Sequence, residues 1–206
     1  TLKLDGLATA WRALPSGQAG YNRARGRGCR AMTSVSMAPN RWLSVFGKDG
    51  CDNGRVDRAK RGGDVRALDI GATTDAASVR WAADLKLAGL PNLLAAKKGR
   101  LMEPFAGWDA ARKRLVFGHG TFDDVRPEDT RGEVYVATQN GAKLQIREIK
   151  PVGPGPTRRW GSCGAYIDAP EHALDGMLVV GGQAPGMDAP MLAEAWWLDF
   201  SGRDSG

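Results

Sequence analysis

Cysteine, histidine and tyrosine are scarce in this chain of 206 residues, and each scarcity narrows the chemistry open to it. Cys29, Cys51 and Cys163 make an odd number, and no two of them have the short spacing of a zinc or redox motif. A secreted fold would more often pair its cysteines, so these are expected to be reduced structural thiols in an intracellular or organellar compartment. Cys29 and Cys163 fall near strand starts and are read as small packing residues. His119 and His172 are expected in exposed loops, and no Ser-His-Asp constellation is visible around them. No hydrophobic run approaches the roughly 20 residues of a membrane span. Amphipathic helix is also scarce. The best candidate, residues 82–98, gathers Leu85, Leu87, Leu90, Leu93 and Leu94, but Gly89 and Pro91 interrupt it, and a short helix or folded loop is expected there.

What the chain does have is short apolar strands at regular intervals. Hydrophobic residues make up 42% and charged residues 25%, the balance of a globular protein. Three stretches share one plan, in which an apolar run enters glycine and an acidic residue later opens a second run. They are Trp42 to Gly47 followed by Asp64 to Asp69, Leu115 to Gly118 followed by Glu133 to Val136, and Met177 to Gly182 followed by Glu194 to Asp199. Asp64, Glu133 and Glu194 stand 69 and 61 residues apart, a spacing that marks repeats of supersecondary size.

Each unit divides into four strands, a to d. The first unit places them at residues 30–37, 42–47, 64–70 and 78–83, and the second at 101–108, 114–118, 133–138 and 144–149. The third shows a to c at 161–167, 176–181 and 194–200. Leu4-Asp5 and Trp11 read as the c and d strands of a preceding unit. Val179-Val180-Gly181-Gly182 with Trp196-Trp197-Leu198-Asp199, Leu68-Asp69, and Leu4-Asp5 with Trp11 resemble kelch repeats. The resemblance implies an all-β fold, a kelch-type β-propeller of about three to four blades, each of four antiparallel strands. The blades fall at roughly 1–15 (half a blade), 28–84, 100–150 and 159–206. The double glycine is Gly47-Lys48 in the first unit and Gly118-His119 in the second, and Leu-Asp becomes Ala137-Thr138 in the second. Gly47, Gly118, Gly181, Gly182, Asp69, Asp199, Trp11, Trp196 and Trp197 are thus the expected structural positions of the repeat. Propellers close with about 4–8 blades, so an incomplete ring is expected. It could be a piece of a longer chain, share blades with another chain or a second copy, or close on itself as a small ring.

Charge is unevenly spread. Residues 1–100 carry 18 Lys/Arg against 8 Asp/Glu, a balance of +10, and residues 101–206 carry 11 against 15, a balance of −4. In a four-stranded meander the b–c and d–a connections leave from one end, and here these are the long ones. That end is expected to bind, because loops held by a rigid scaffold carry recognition. Its first loops are basic (Lys48, Arg55, Arg58, Lys60, Arg61, Lys97, Lys98 and Arg100), and the next b–c loop is acidic (Asp123, Asp124, Glu128 and Asp129).

A non-catalytic protein-interaction or scaffold module is expected, as a subunit of a larger assembly, with no cofactor and no metal. The alternative is the propeller of a galactose-oxidase-like or carbohydrate-active enzyme whose catalytic residues lie outside this chain. The resemblance would then require two His, two Tyr and a Cys in one site, and no motif brings Tyr21, Tyr135 and Tyr166 together. Paired carboxylates at 123–124 and 128–129 lack the glycine spacing of a calcium loop. Gly153-Pro154-Gly155-Pro156 reads as a turn-rich linker, without the Lys-Ser/Thr of a phosphate cradle. Nucleic acid remains a further alternative partner, with Tyr21 among Arg23, Arg25 and Arg27 as the one stacking platform in a basic stretch.

Overall fold

A computed structural model describes residues 33–45, 65–69, 80–81, 85–92, 94, 101–122, 127–186 and 188–201. Among them the protein is all-β, in three sheets. The first runs in chain order through β1 (Thr33–Ala38), β2 (Arg41–Val45), β3 (Val65–Asp69) and β4 (Arg80–Trp81). A short strand, β5 (Lys86–Ala88), opens the second sheet, which continues through β6 (Phe105–Asp109), β7 (Arg114–Gly118), β8 (Val134–Asn140) and β9 (Lys143–Ile149) in the order β5-β9-β8-β7-β6. The third holds β10 (Cys163–Ala169), β11 (Leu174–Val180) and β12 (Ala195–Asp199), again as a meander. Every strand expected from residue 30 to residue 200 is therefore present within a few residues of its predicted bounds.

Local chemistry sets the hairpins. Asp109 ends β6, its Oδ1 accepts from the Arg112 amide at 3.0 Å, and the turn closes with Lys113 at φ 49. Gly141, at φ 59, supplies the left-handed residue of the tight β8–β9 turn. A single 3₁₀ turn, Pro170–His172, joins β10 to β11.

Alternation along the strands gives each sheet two apolar faces, and the sheets stack on them. Leu115, Phe117, Tyr135 and Ala137 of the second sheet bury one face against Leu43, Val45, Val65 and Ala67 of the first. Phe105, Val116, Val134 and Val136, on its other face, pack against Met177 and Val179 of the third, flanked by Trp196 and Leu198. All five residues of β7 are buried, because β7 lies between β6 and β8 in the middle sheet, with another sheet packed on each face. Each large side chain so enclosed contributes about 1.5–3 kcal/mol, so the two seams dominate the cohesion of the molecule.

The strands nearest one another across the seams are β1, β6 and β10. The Thr33 hydroxyl donates to the Pro104 carbonyl. Between β6 and β10 the backbones nearly touch. A Cβ on Gly107 would stand 2.5 Å from the Tyr166 amide nitrogen, and one on Gly164 would stand 2.9 Å from that of Ala106. The Met177 side chain fills the slot that these two glycines leave.

The second and third units repeat in fine detail. Phe105 pairs with Gly118 and Gly118 with Val134, while Cys163 pairs with Val180 and Val180 with Ala195. Beyond these rungs Met102, Thr121 and Thr130 bridge one another, as do Trp160, Gln183 and Met191 at the same offsets. Gly118 therefore corresponds to Val180, and it is His119-Gly120 that occupies the place of Gly181-Gly182. All four are left-handed, at φ 57, 82, 66 and 101. This corrects the equivalence of Gly118 with Gly181, which rested on glycine identity rather than on register.

Two further expectations are corrected. Residues 82–98 contain an unexpected strand at Lys86–Ala88 ahead of the expected helical residues, Asn92 and Leu94. Leu85 bridges Val65 of the first sheet, and β5 then runs parallel to β9 of the second. Gly89, at φ 64, and Pro91 separate this link from the helical residues Asn92 and Leu94 that follow. Cys163, expected to pack, is exposed at the start of β10.

Candidate binding site

The end of the sheets from which the b–c and d–a connections leave holds a cavity of about 500 Å³, between the second and third sheets. Phe105, Val134 and Val179 form its apolar wall, Trp196 and Trp197 come from β12, and residues 151–156 border it. Alternation puts Val134 and Val179 on the facing sheet surfaces. The stretch Pro151-Val152-Gly153-Pro154-Gly155-Pro156 forms no ladder, since three prolines withdraw three amide donors, and it stands largely exposed beside the opening. The volume lies within the range of small-molecule and side-chain pockets, about 300–1,000 Å³. A shallower hollow of about 390 Å³ shares Gly132, Val134 and Pro151 with it and adds Glu133, Glu148, Lys150 and Arg158. An apolar pocket thus continues onto a shelf bearing both signs of charge.

His119 belongs to this wall. It is 2% exposed, at odds with the loop position expected for it, and its ring is tilted against Phe105 at 5.3 Å. Its amide donates to the Glu133 carbonyl at 2.9 Å, but Nδ1 is buried without a hydrogen-bond partner. Burial, reinforced by the Arg159 charge and opposed by Glu133, drives its pKa down to about 4, so the ring is neutral at pH 7. A non-glycine residue in the left-handed region costs about 1–2 kcal/mol, a strain that the third unit avoids with Gly181.

Arg159 is the buried cation of the site. Its Nη2 donates to Glu194 Oε2 at 2.7 Å, Nη1 to the Gly181 carbonyl at 3.0 Å and Nε to the Thr157 carbonyl at 3.0 Å. Trp196 Nε1 donates to the same Glu194 oxygen at 2.8 Å. The Arg159 hydrogen bond, then that of Trp196, hold the Glu194 carboxyl below its ordinary pKa. Glu133 holds the matching place in the second unit and pairs with Arg131 through both guanidinium nitrogens Nε and Nη2. Burial pushes the Glu133 pKa up, and the hydrogen bond and charge of Arg131 outweigh it to bring it down. The b–c connections of the second and third units are therefore each closed by one acidic residue clamped to one arginine.

At the opposite end the charges are structural. Arg114 Nε donates to Asp109 Oδ2 at 2.7 Å, and Arg114 Nη2 donates to the Tyr166 hydroxyl at 3.1 Å. Tyr166 donates to Asp175 Oδ1 at 2.6 Å, and Arg112 forks onto both oxygens of Asp175 at 3.1 and 2.7 Å. Burial raises the Asp109 pKa, but hydrogen bonds from the Arg112 amide and side chain, with the charges of Arg114 and Arg112, bring it down. Burial and the bond to Asp175 push the Tyr166 pKa up.

Of the binding residues expected from sequence, Lys48, Arg55, Arg58, Lys60, Arg61, Lys97, Lys98 and Arg100 lie outside the described residues, as do Asp123, Asp124, Gly47 and Trp11. Glu128 is exposed and Asp129 half-buried in the b–c connection after β7. Asp199 ends β12, and its Oδ1 accepts from the amide and hydroxyl of Ser201. Asp69 pairs with Arg41 at 3.3 Å on the first sheet. Trp196, expected only as a structural position, lines the cavity, and Trp197, which alternation turns to the other face of β12, only borders it. His119, Arg159 and the proline strip were not expected in a site. The signal that could have found Arg159 is its place two residues before the third a strand, facing the glycine pair that Glu194 also closes. Among the described residues no three His, Cys, Asp or Glu gather as a metal site would require. No described helix is long and apolar enough to cross a membrane. The sequence matches no known family and no curated protein.

Proposed function

We propose that the chain is a non-catalytic protein-interaction module, built of kelch-like propeller blades and serving as a subunit of a larger assembly. Its recognition site is the cleft between the second and third sheets, which takes an apolar side chain from a peptide segment of a protein partner. The observation that carries this is the cavity of about 500 Å³, walled by Phe105, Val134, Val179 and Trp196 and opening beside exposed Val152. Aromatic anchors in concave apolar pockets are where interface energy concentrates, and the mixed-charge shelf beside it suits the polar backbone and flanking residues of a peptide.

A photo-crosslinking residue at Val152 identifies the partner, and the purified pair is then titrated. Val152→Asp, on the rim, and Trp196→Ala, in the wall, are expected to weaken binding about 10–100-fold. Lys143→Glu, at the other end of the sheets, is expected to leave it unchanged. Undiminished affinity in both cleft variants would overturn the assignment. Stoichiometric copper or iron in the purified chain would favour the enzyme-domain alternative instead.

A further inference from the structure

The third sheet has one face against the second sheet and one face open. On the open face stand Ile167, Leu174, Leu178, Val180 and Trp197, with Val180 43% and Trp197 38% exposed. A sheet face this apolar is normally covered. The register of the repeat says by what. Val116, Val134 and Val136 of the second sheet, which seat the third, correspond rung for rung to Leu178, Ala195 and Trp197. The open face is thus the seat for one more sheet of the same kind. The residues such a sheet presents are also defined. The second sheet meets the first with Leu115 and Ala137, and the same register positions in the first sheet are Trp42 and Leu68. They lie on the face of the first sheet turned away from the second. Trp42 is 39% exposed, so the first sheet of the same copy does not fill the seat.

We infer that the open face of the third sheet seats the first sheet of a second copy of this chain, head to tail. Charge complementarity favours this occupant. The half of the chain containing the first sheet carries +10 and the half ending in the third sheet carries −4, so head meets tail with opposite signs. Exposed Asp199, which ends β12, shares the open face with Trp197 and adds to its acidic side. A heterologous contact of this kind closes into a ring or runs on as a filament. Two copies, each contributing the three sheets of its described residues, supply six, inside the range of about 4–8 at which radially stacked sheets close. The product is a dimer of twofold symmetry in which both junctions repeat the contact made within each chain.

Sedimentation equilibrium on the purified chain tests this. The expected result is a reversible dimer of twice the 22.0 kDa chain mass, weakened by salt. Val180→Glu and Trp42→Glu each remove one side of the junction, at exposed positions that leave both cores intact. Each variant alone is expected to be monomeric, with the dissociation constant raised at least about 100-fold. Mixed together, they restore association, because one retains an intact tail and the other an intact head. A chain that stays monomeric up to ~100 μM overturns the inference. So does a dimer that Trp42→Glu leaves unaffected, since that would be a tail-to-tail contact. A far-UV and near-UV circular dichroism spectrum matching the parent confirms that each variant is folded.

Discussion

His119 concentrates the physical tensions of the site in one side chain. It adopts a backbone conformation that the third unit gives to glycine, it is buried, and its Nδ1 has no partner. Its pKa is about 4 in the folded protein against 6.5 for the free side chain, so between these values the unfolded chain holds more protons. The stabilisation from the neutral buried ring is complete above about pH 6.5 and is lost as pH falls toward 4. The swing is about 3 kcal/mol at most, by the conversion of about 1.4 kcal/mol per pKa unit. Asn tolerates the left-handed region and does not titrate. Thermal melts at pH 7 and pH 4.5 should therefore show a smaller acid-induced drop in Tm for His119→Asn than for the parent. Equal drops would assign the acid sensitivity to the carboxylates. Glu133, Glu194 and Asp109 act in the same direction but in a lower window, because their pKa values lie below the ordinary carboxylate range.

At the level of strands and sheets, the tightest constraint is the backbone contact between β6 and β10. Gly107→Ala would drive a methyl group into the Tyr166 amide and the Met177 sulfur, 2.5 and 2.7 Å away. One of these neighbours is backbone and cannot turn aside. The expected cost is about 1–3 kcal/mol, read as a lower urea midpoint, and a Gly141→Ala control tests the alternative of general glycine sensitivity. A Cβ at Gly141 meets nothing within 4 Å, so only the left-handed strain is charged there. The strands themselves were legible in the sequence, since runs such as Leu115 to Gly118 and Met177 to Val180 are bounded by turn residues and alternate as half-buried or buried strands do. The strand β5 was not legible, because its pairing with β9 is nonlocal and leucine-rich runs satisfy several periodicities at once. The cleft was half legible. The end of the sheets that holds it follows from antiparallel alternation, but Arg159 and His119 become site residues only through a register that glycine identity alone misplaces by one rung.

Over the whole molecule, the two ends of the sheets divide the work. One end carries the cleft, and the other carries the linkage Arg114–Asp109–Arg112–Asp175–Tyr166, which ties the second sheet to the third. Asp109 is fully buried, and Asp109→Ala leaves the buried Arg114 guanidinium without its carboxylate. A loss of about 3–5 kcal/mol is expected, as for breaking other buried pairs. Arg112→Ala removes a partly exposed fork instead, and its cost should stay near 1 kcal/mol because solvent screens it. Urea titrations followed by tryptophan fluorescence distinguish the two. Equal losses would mean that the linkage acts as one unit rather than through its buried member.

The segment that belongs to two sheets has a temporal consequence. Leu85 is held by Val65, and Lys86–Ala88 then lies along Lys143–Ile149. On a ribosome, the earlier strands emerge well before their distant neighbour exists. The pairing of Lys86–Ala88 therefore cannot form until β9 has been synthesised, however early the first sheet is complete.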